Sequence, residues 1–152
     1  MRKFLLPIIN LVNLILVSIA WGLTGKTALV SGSNNISYGY GNFYEVIWDG
    51  QVSSHNVNVM GIVAFFIFIL GCAFMLAAFL PVKWRKFVSC LEGLSFIASG
   101  VLFLIMPFHT ARATVEPELT GAMIAIAVLV LIAGAFAVCM SLLEFLGKKE
   151  SK

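Results

Sequence analysis

The sequence predicts an all-α membrane protein. The expected architecture is a four-transmembrane-helix bundle with N and C termini cytoplasmic and a long outside loop between helices 1 and 2. Three observations predict it. The 152 residues are 61% hydrophobic and 11% charged, whereas a soluble domain has roughly half apolar and about a quarter charged residues. The apolar residues fall into four bilayer-length runs, at about 4–23, 59–80, 87–106 and 119–146, making one domain over 1–152. The basic residues are unevenly placed. Arg2, Lys3, Lys83, Arg85, Lys86, Lys148, Lys149 and Lys152 lie at the two ends of the chain or in the clip between the second and third runs, leaving Lys26 and Arg112 for the other loops. By the positive-inside rule this split puts both termini in the cytoplasm and makes the number of spans even. The net charge of +3 therefore reports orientation and gives no reason to expect nucleic acid.

The first run, Phe4–Leu23, follows Met1-Arg2-Lys3, and Ser18-Ile19-Ala20 could pass as a cleavage site, so a signal peptide has to be weighed. Its apolar part of about twenty residues exceeds the roughly 7–15 of such a segment, and the run is read as a retained span. Pro7 sits in the first turn, where a missing N–H costs little, and Trp21 falls at the outer end, as an interfacial aromatic should. The outside loop, 24–58, is rich in Gly, Ser, Asn and Tyr. Thr27–Ser31 and Asn42–Trp48 have strand character, with turn-forming residues between them, so a small β-hairpin is expected; the alternative is a flap that lays its aromatics on lipid headgroups. Val59–Leu80 carries no charge, Phe87–Met106 carries only Glu92, and the basic clip 81–86 joins them into a helical hairpin. A short outside loop, 107–117, precedes the last span. That span, about 119–146, would measure about 42 Å and overshoots a ~30 Å hydrocarbon core, so it must tilt or protrude.

An ionisable residue inside a span is a functional hypothesis by default, which singles out Glu92. It lies about 9 Å in from Lys86 on a helical stripe with Ser89, Ser95 and Ser99, a stripe that lipid would reject. Asn10 and Asn13 share a face of the first span at similar depth, and Ser141 and Glu144 lie near the cytoplasmic end of the fourth. The expected intramembrane polar cluster is therefore Asn10, Asn13, Ser89, Glu92, Ser95, Ser141 and Glu144. It reads either as interhelical hydrogen bonding that sets register, with Glu144 reaching to the interface, or as a proton- or cation-linked site.

Other features carry less chemistry. Ala133, Ala137 and Ser141 with Gly134, Gly93 with Gly100, and Gly71 with Ala77 and Ala78 mark close helix contacts. The five Phe of span two point in all directions, so some must face lipid or a partner. Cys72, Cys90 and Cys139 lie within spans, spaced too widely for redox or zinc motifs, and read as small packing residues. His55 and His109 lack a third metal ligand, and Asn35-Ile36-Ser37 is a sequon that occurs easily by chance. Tyr38-Gly39-Tyr40-Gly41 has neither the preceding Thr-Val nor the apolar pore helix of a potassium filter. No catalytic residue, cofactor or metal is expected.

The four-span layout, with both ends inside and a long first outer loop of strand character, is similar to that of the claudin-like proteins. The likeness is one of topology along the whole chain, since the family's Trp…Gly-Leu-Trp signature and first-loop cysteine pair are missing here. Small four-span multidrug exporters carry their acidic residue in the first span, and four-span disulfide-forming enzymes need paired loop cysteines; neither pattern fits. The expected function is that of a non-enzymatic, multi-pass plasma-membrane protein acting by lateral association, an accessory or scaffold subunit whose partners are the lipid bilayer and other membrane subunits or copies of itself. The alternative is a small transporter or channel subunit using Glu92 with Asn10 and Asn13.

Overall fold

Each apolar run folds as a helix, since a backbone surrounded by lipid must satisfy its N–H and C=O groups internally. In the computed structural model these are α1 (Arg2–Leu23), α2 (Val59–Ala78), α3 (Arg85–Ile105) and α4 (Gly121–Leu146). The structure describes residues 2–26, 28–33, 36–39, 42–49, 58–79, 84–106 and 118–146, with side chains described at 8–26, 28, 42–47, 58–79, 84–106 and 118–143. The expected turn residues at 34–35 and 40–41, most of the basic clip (81–83), His55, His109, Asn35 and the C-terminal lysines lie outside the described residues. Three helices, Val59–Ala78, Arg85–Ile105 and the Gly121–Leu143 part of α4, are long and apolar enough to cross a membrane, and Ile8–Leu23 of α1 is a shorter apolar stretch. That is the mark of a multi-pass integral membrane protein.

The helices pack in the spatial order α1–α4–α3–α2: α3 lies along both α2 and α4, α1 lies along α4, and α1 touches α2 only lightly. Burial repeats at intervals of three and four residues. On α2 it takes Gly61, Ala64, Phe68, Gly71, Met75 and Ala78, and on α3 it takes Ser89, Glu92, Gly93, Phe96, Ser99, Gly100 and Phe103. This sevenfold spacing is that of shallow left-handed packing. Large and small residues interlock, and a Cβ built at Gly71 would stand 2.8 Å from the Phe96 ring. The tightest contact is between α3 and α4. A Cβ built at Gly93 would stand 2.8 Å from the Gly134 carbonyl oxygen, and one at Gly134 would stand 2.9 Å from that of Gly93.

One end of the bundle is closed by a cap. Strands β1 (Leu29–Ser33) and β2 (Ile36–Gly39) pair antiparallel, and a two-residue strand β3 (Glu118–Leu119) pairs antiparallel on the other side of β1, giving the order β2-β1-β3. The strand expected at 42–48 is helical instead, a short turn that becomes a π-helical segment, Glu45–Asp49. Two hydrogen bonds start it: the Asn42 N–H donates to Glu45 Oε2 (2.8 Å) and the Glu45 N–H donates to Asn42 Oδ1 (3.1 Å), a reciprocal capping box. Nor is this segment a flap on headgroups, since Phe43, Val46 and Ile47 are buried. Phe43 stands edge-on to Phe103 of α3 (5.4 Å, 88°) and beside Phe65 of α2 (5.7 Å), while Ile47 sits on Gly61. The fourth helix starts at Gly121, two residues later than the sequence suggests. Leu119 pairs with Leu29, and the Thr120 N–H donates to the Ala28 carbonyl (3.1 Å); Thr120 Oγ1 then accepts from the Met123 N–H (3.3 Å) as an N-cap. Tyr38 and Gly39 lie in β2, paired with β1, while Tyr40 and Gly41 of the filter-like motif lie outside the described residues.

Candidate functional site

The buried stripe of α1 runs Asn10, Asn13, Val17, Ala20, and Thr24 continues it just past the helix end. Spaced by three and four residues, these positions form one face, and lipid excludes its two amides. Glu92 comes from the buried stripe of α3. Since α1 and α3 are diagonal in the bundle, a contact between them crosses its middle. Asn13 Nδ2 donates to Glu92 Oε1 at 3.1 Å, joining residues 79 positions apart. Glu92 is 1% exposed, Asn13 0% and Asn10 5%. The carboxyl group is thus sealed inside the bundle. On α2, half-buried Cys72 lies close enough to interact with it electrostatically.

Ser89 is buried and Ser95 half-buried on α3. Ser141 Oγ donates to the Lys86 carbonyl (2.8 Å), tying α4 to the first turn of α3, and Ser99 Oγ donates to the Ala64 carbonyl (2.9 Å), tying α3 to α2. The Glu144 side chain lies outside the described residues. Among the described side chains, three buried polar atoms have no partner: Asn10 Nδ2 and Asn13 Oδ1, a donor and an acceptor on α1, and Arg85 Nε at the start of α3. No group of three His, Cys, Asp or Glu side chains that could hold a metal occurs among the described residues.

Sequence reasoning overlooked Asn58, and the signal for it was available. It stands at the boundary of an apolar run, where a side-chain oxygen caps a helix. Its Oδ1 accepts from the Gly61 N–H (2.9 Å), and its Nδ2 donates to the Met106 carbonyl (3.3 Å), so one amide starts α2 and closes the end of α3. Cys72 carries no signal that separates it from the other cysteines of the spans.

The Asn13–Glu92 bond should behave asymmetrically under mutation. Asn13→Leu leaves a buried carboxyl group without its donor and should cost about 2 kcal/mol, whereas removing both partners in Asn13→Leu/Glu92→Leu should cost clearly less than the sum of the single changes. Unfolding of the four proteins in mixed micelles, read by circular dichroism, measures the difference; additive costs would show that the two side chains are not coupled.

No family model, curated protein or solved structure matches the chain.

Proposed function

We propose that the chain is a four-span plasma-membrane protein, with both termini and the basic clip cytoplasmic and the capped end outside, that acts without catalysis as an accessory or scaffold subunit by lateral association. The observation that supports this reading is the outer face of α1. Ser18 and Gly22, four residues apart, are exposed, and a Cβ built at Gly22 would meet nothing within 4 Å. Small residues at this spacing let a second helix approach closely. The glycines at mid-span in α2 and α3 are filled from within, Gly71 by Phe96, Gly93 by Gly134 and Val138, and Gly100 by Leu131. The face at Ser18 and Gly22 is therefore a small-residue face of α1 open to another subunit. Charge placement supports the orientation.

Transport centred on Glu92 has less support. Between Glu92 and the cap the buried side chains of α2 and α3 include Phe68, Phe96 and Phe103, and Ser99 among them is committed to the Ala64 carbonyl. Glu92→Gln in liposomes would test it, by removing a proton- or cation-dependent flux that the unmodified protein carries.

The deciding experiment is purification in mild detergent from the native membrane, with and without Ser18→Leu/Gly22→Leu. A stoichiometric membrane subunit should accompany the unmodified chain. Its recovery should fall about tenfold in the variant, as expected for losing roughly 1–2 kcal/mol of helix packing. Isolation of the unmodified chain as a lone monomer would overturn the reading.

A further inference from the structure

A second feature of the bundle has no place in that reading. Asn10 Nδ2 and Asn13 Oδ1 are both buried without a partner, on adjacent turns of one helix face, and Asn13 is the residue that donates to the Glu92 carboxyl group. Leaving a buried donor or acceptor unmet costs about 1–3 kcal/mol each. Leu, Ala or Val at either position would avoid that cost, and both would suit the span. The two unmet atoms also have opposite character. A guest that satisfies both must accept from Asn10 and donate to Asn13. A metal cation cannot accept from the Asn10 N–H, and a chloride ion cannot donate to the Asn13 oxygen. A water molecule can do both, and buried waters characteristically make about three hydrogen bonds to otherwise unmet polar groups.

The geometry points to a buried proton-exchange site in which Asn10 and Asn13 hold one internal water against Glu92. Asn13 suits both states of the carboxyl group. Its amide N–H donates to the carboxylate, as at present, and its spare oxygen can accept from a carboxylic O–H once the amide turns over. A proton arriving on Glu92 therefore forms an O–H bond at one carboxylate oxygen without leaving that group unpartnered. On departure it passes to the water, which hands a proton on toward the basic end of the bundle. The surroundings contain few competitors. Between Phe4 and Leu23, α1 carries no titratable side chain; α2 contributes Cys72; α3 itself carries Cys90 and, at its start, Arg85 and Lys86; and α4 contributes exposed Cys139 and, near its end, Glu144. Arg85 and Lys86 are one to two turns from Glu92, on the side from which protons would enter.

Infrared spectroscopy of the protein in lipid nanodiscs tests the site. A carboxylic C=O band absent from Glu92→Gln should grow as pH is lowered and vanish as it is raised. When H2O is exchanged for D2O, that band should shift promptly in the unmodified protein. In Asn10→Leu, which removes one of the water's bonds and fills its space, the shift should be slowed roughly five- to tenfold, the factor corresponding to about 1 kcal/mol of lost hydrogen bonding. Asn10→Ser, which keeps a hydroxyl and leaves room, should restore fast exchange. Helical circular dichroism and elution as a single species confirm that each variant is folded. A Glu92 band that does not change with pH would overturn the proposal, and so would equal exchange rates in folded Asn10→Leu and unmodified protein. If Asn10→Leu fails to fold, Asn10→Ala takes its place with the same expected slowing, since it too removes the donor.

Discussion

Gly134→Leu should abolish the folded bundle. The α3–α4 seam is the closest in the molecule, and at its centre two glycines face each other with their carbonyl oxygens against the space a Cβ would occupy. The obstruction at Gly134 is the Gly93 backbone together with Ile97, whose Cγ1 would stand 2.8 Å away and whose amide nitrogen 2.9 Å away. A long side chain can swing aside, but helix backbone can yield only if the two helices move apart. Separation would break two further contacts: the Gly100–Leu131 contact two turns farther along α3, and the Ser141–Lys86 hydrogen bond at the basic end. It would also disturb the diagonal on which Glu92 meets Asn13. A single added methyl in a tight core costs about 1–3 kcal/mol, so Gly93→Ala and Gly134→Ala should each weaken the fold by that amount, and Leu should exceed what a domain of this size can bear. The measurement is the yield of monodisperse protein on size exclusion, followed by thermal unfolding of the alanine variants. Gly121→Ala is the control, because a Cβ there meets nothing. Wild-type yield and melting for Gly134→Leu would mean that α3 and α4 do not approach as closely as described.

The same contact shows what a sequence of this kind can and cannot disclose. The existence of the helices is legible because lipid sets a length of about twenty residues and admits almost no charge. Which helix neighbours which is not. In water, an apolar stripe would mark the inward face; in lipid, Ile15 and Val17 are equally acceptable on either side, yet Ile15 is exposed and Val17 buried. What remains informative is the exceptional residue. Asn10, Asn13, Glu92 and Ser99 are too polar for lipid, and all are buried. Gly93, Gly100 and Gly134 are too small to be useful to lipid, and all three serve close approach. These residues were readable as a set. Their pairing was not, since depth along a span says nothing about rotation around it, and Ser141 and Asn13, at comparable depth, have different partners.

In the 24–58 loop, local propensity was misleading. Phe43, Tyr44, Val46, Ile47 and Trp48 favour strands, but intrinsic strand preference mostly measures fit to a half-buried pleated surface. Here Phe43, Val46 and Ile47 pack into the mouth of a helix bundle, which a helical turn allows by placing them on one side. The Asn42–Glu45 spacing was the contrary signal, a capping box readable from sequence alone. The two-residue strand β3 gave no signal, because Leu119 continues the apolar pattern of the helix that follows and its pairing depends on Leu29, ninety residues away.

Phe43→Ala should release the cap from the bundle. The ring fills the space between Phe65 and Phe103 and stands 5.7 Å from Tyr44, so truncation leaves a large void with aromatic walls at the junction of α2, α3 and the loop. A buried Phe→Ala change costs about 3–5 kcal/mol, which rivals the stability of an entire small domain. The helices should survive that loss, for their own contacts at Gly93–Gly134, Asn13–Glu92 and Ser99–Ala64 lie deeper and do not involve the cap. The cost should therefore fall on a local opening. The other links of the cap to the bundle include the Phe43 N–H donating to the Thr24 carbonyl (3.2 Å), the Thr24–Tyr44 hydroxyl contact (3.2 Å), Tyr44 edge-on to Phe65 (5.8 Å), Ile47 against Gly61, the Thr120 N–H donating to the Ala28 carbonyl (3.1 Å), and the pairing of β1 with β3. Lys26, exposed at the base of the cap, is the one basic residue between Lys3 and Lys83 and so provides a single tryptic site. Cleavage there should accelerate by two orders of magnitude or more in Phe43→Ala, as about 3 kcal/mol of lost local stability implies when opening precedes cutting. Tyr44→Phe removes only a hydroxyl contact and should accelerate it by about fivefold, for roughly 1 kcal/mol. Equal cleavage rates in Phe43→Ala and unmodified protein would place the anchor of the cap elsewhere. Unfolding of the helices together with the cap would make cap and bundle one cooperative unit, and the 24–58 loop would then belong to the stability of the membrane domain itself.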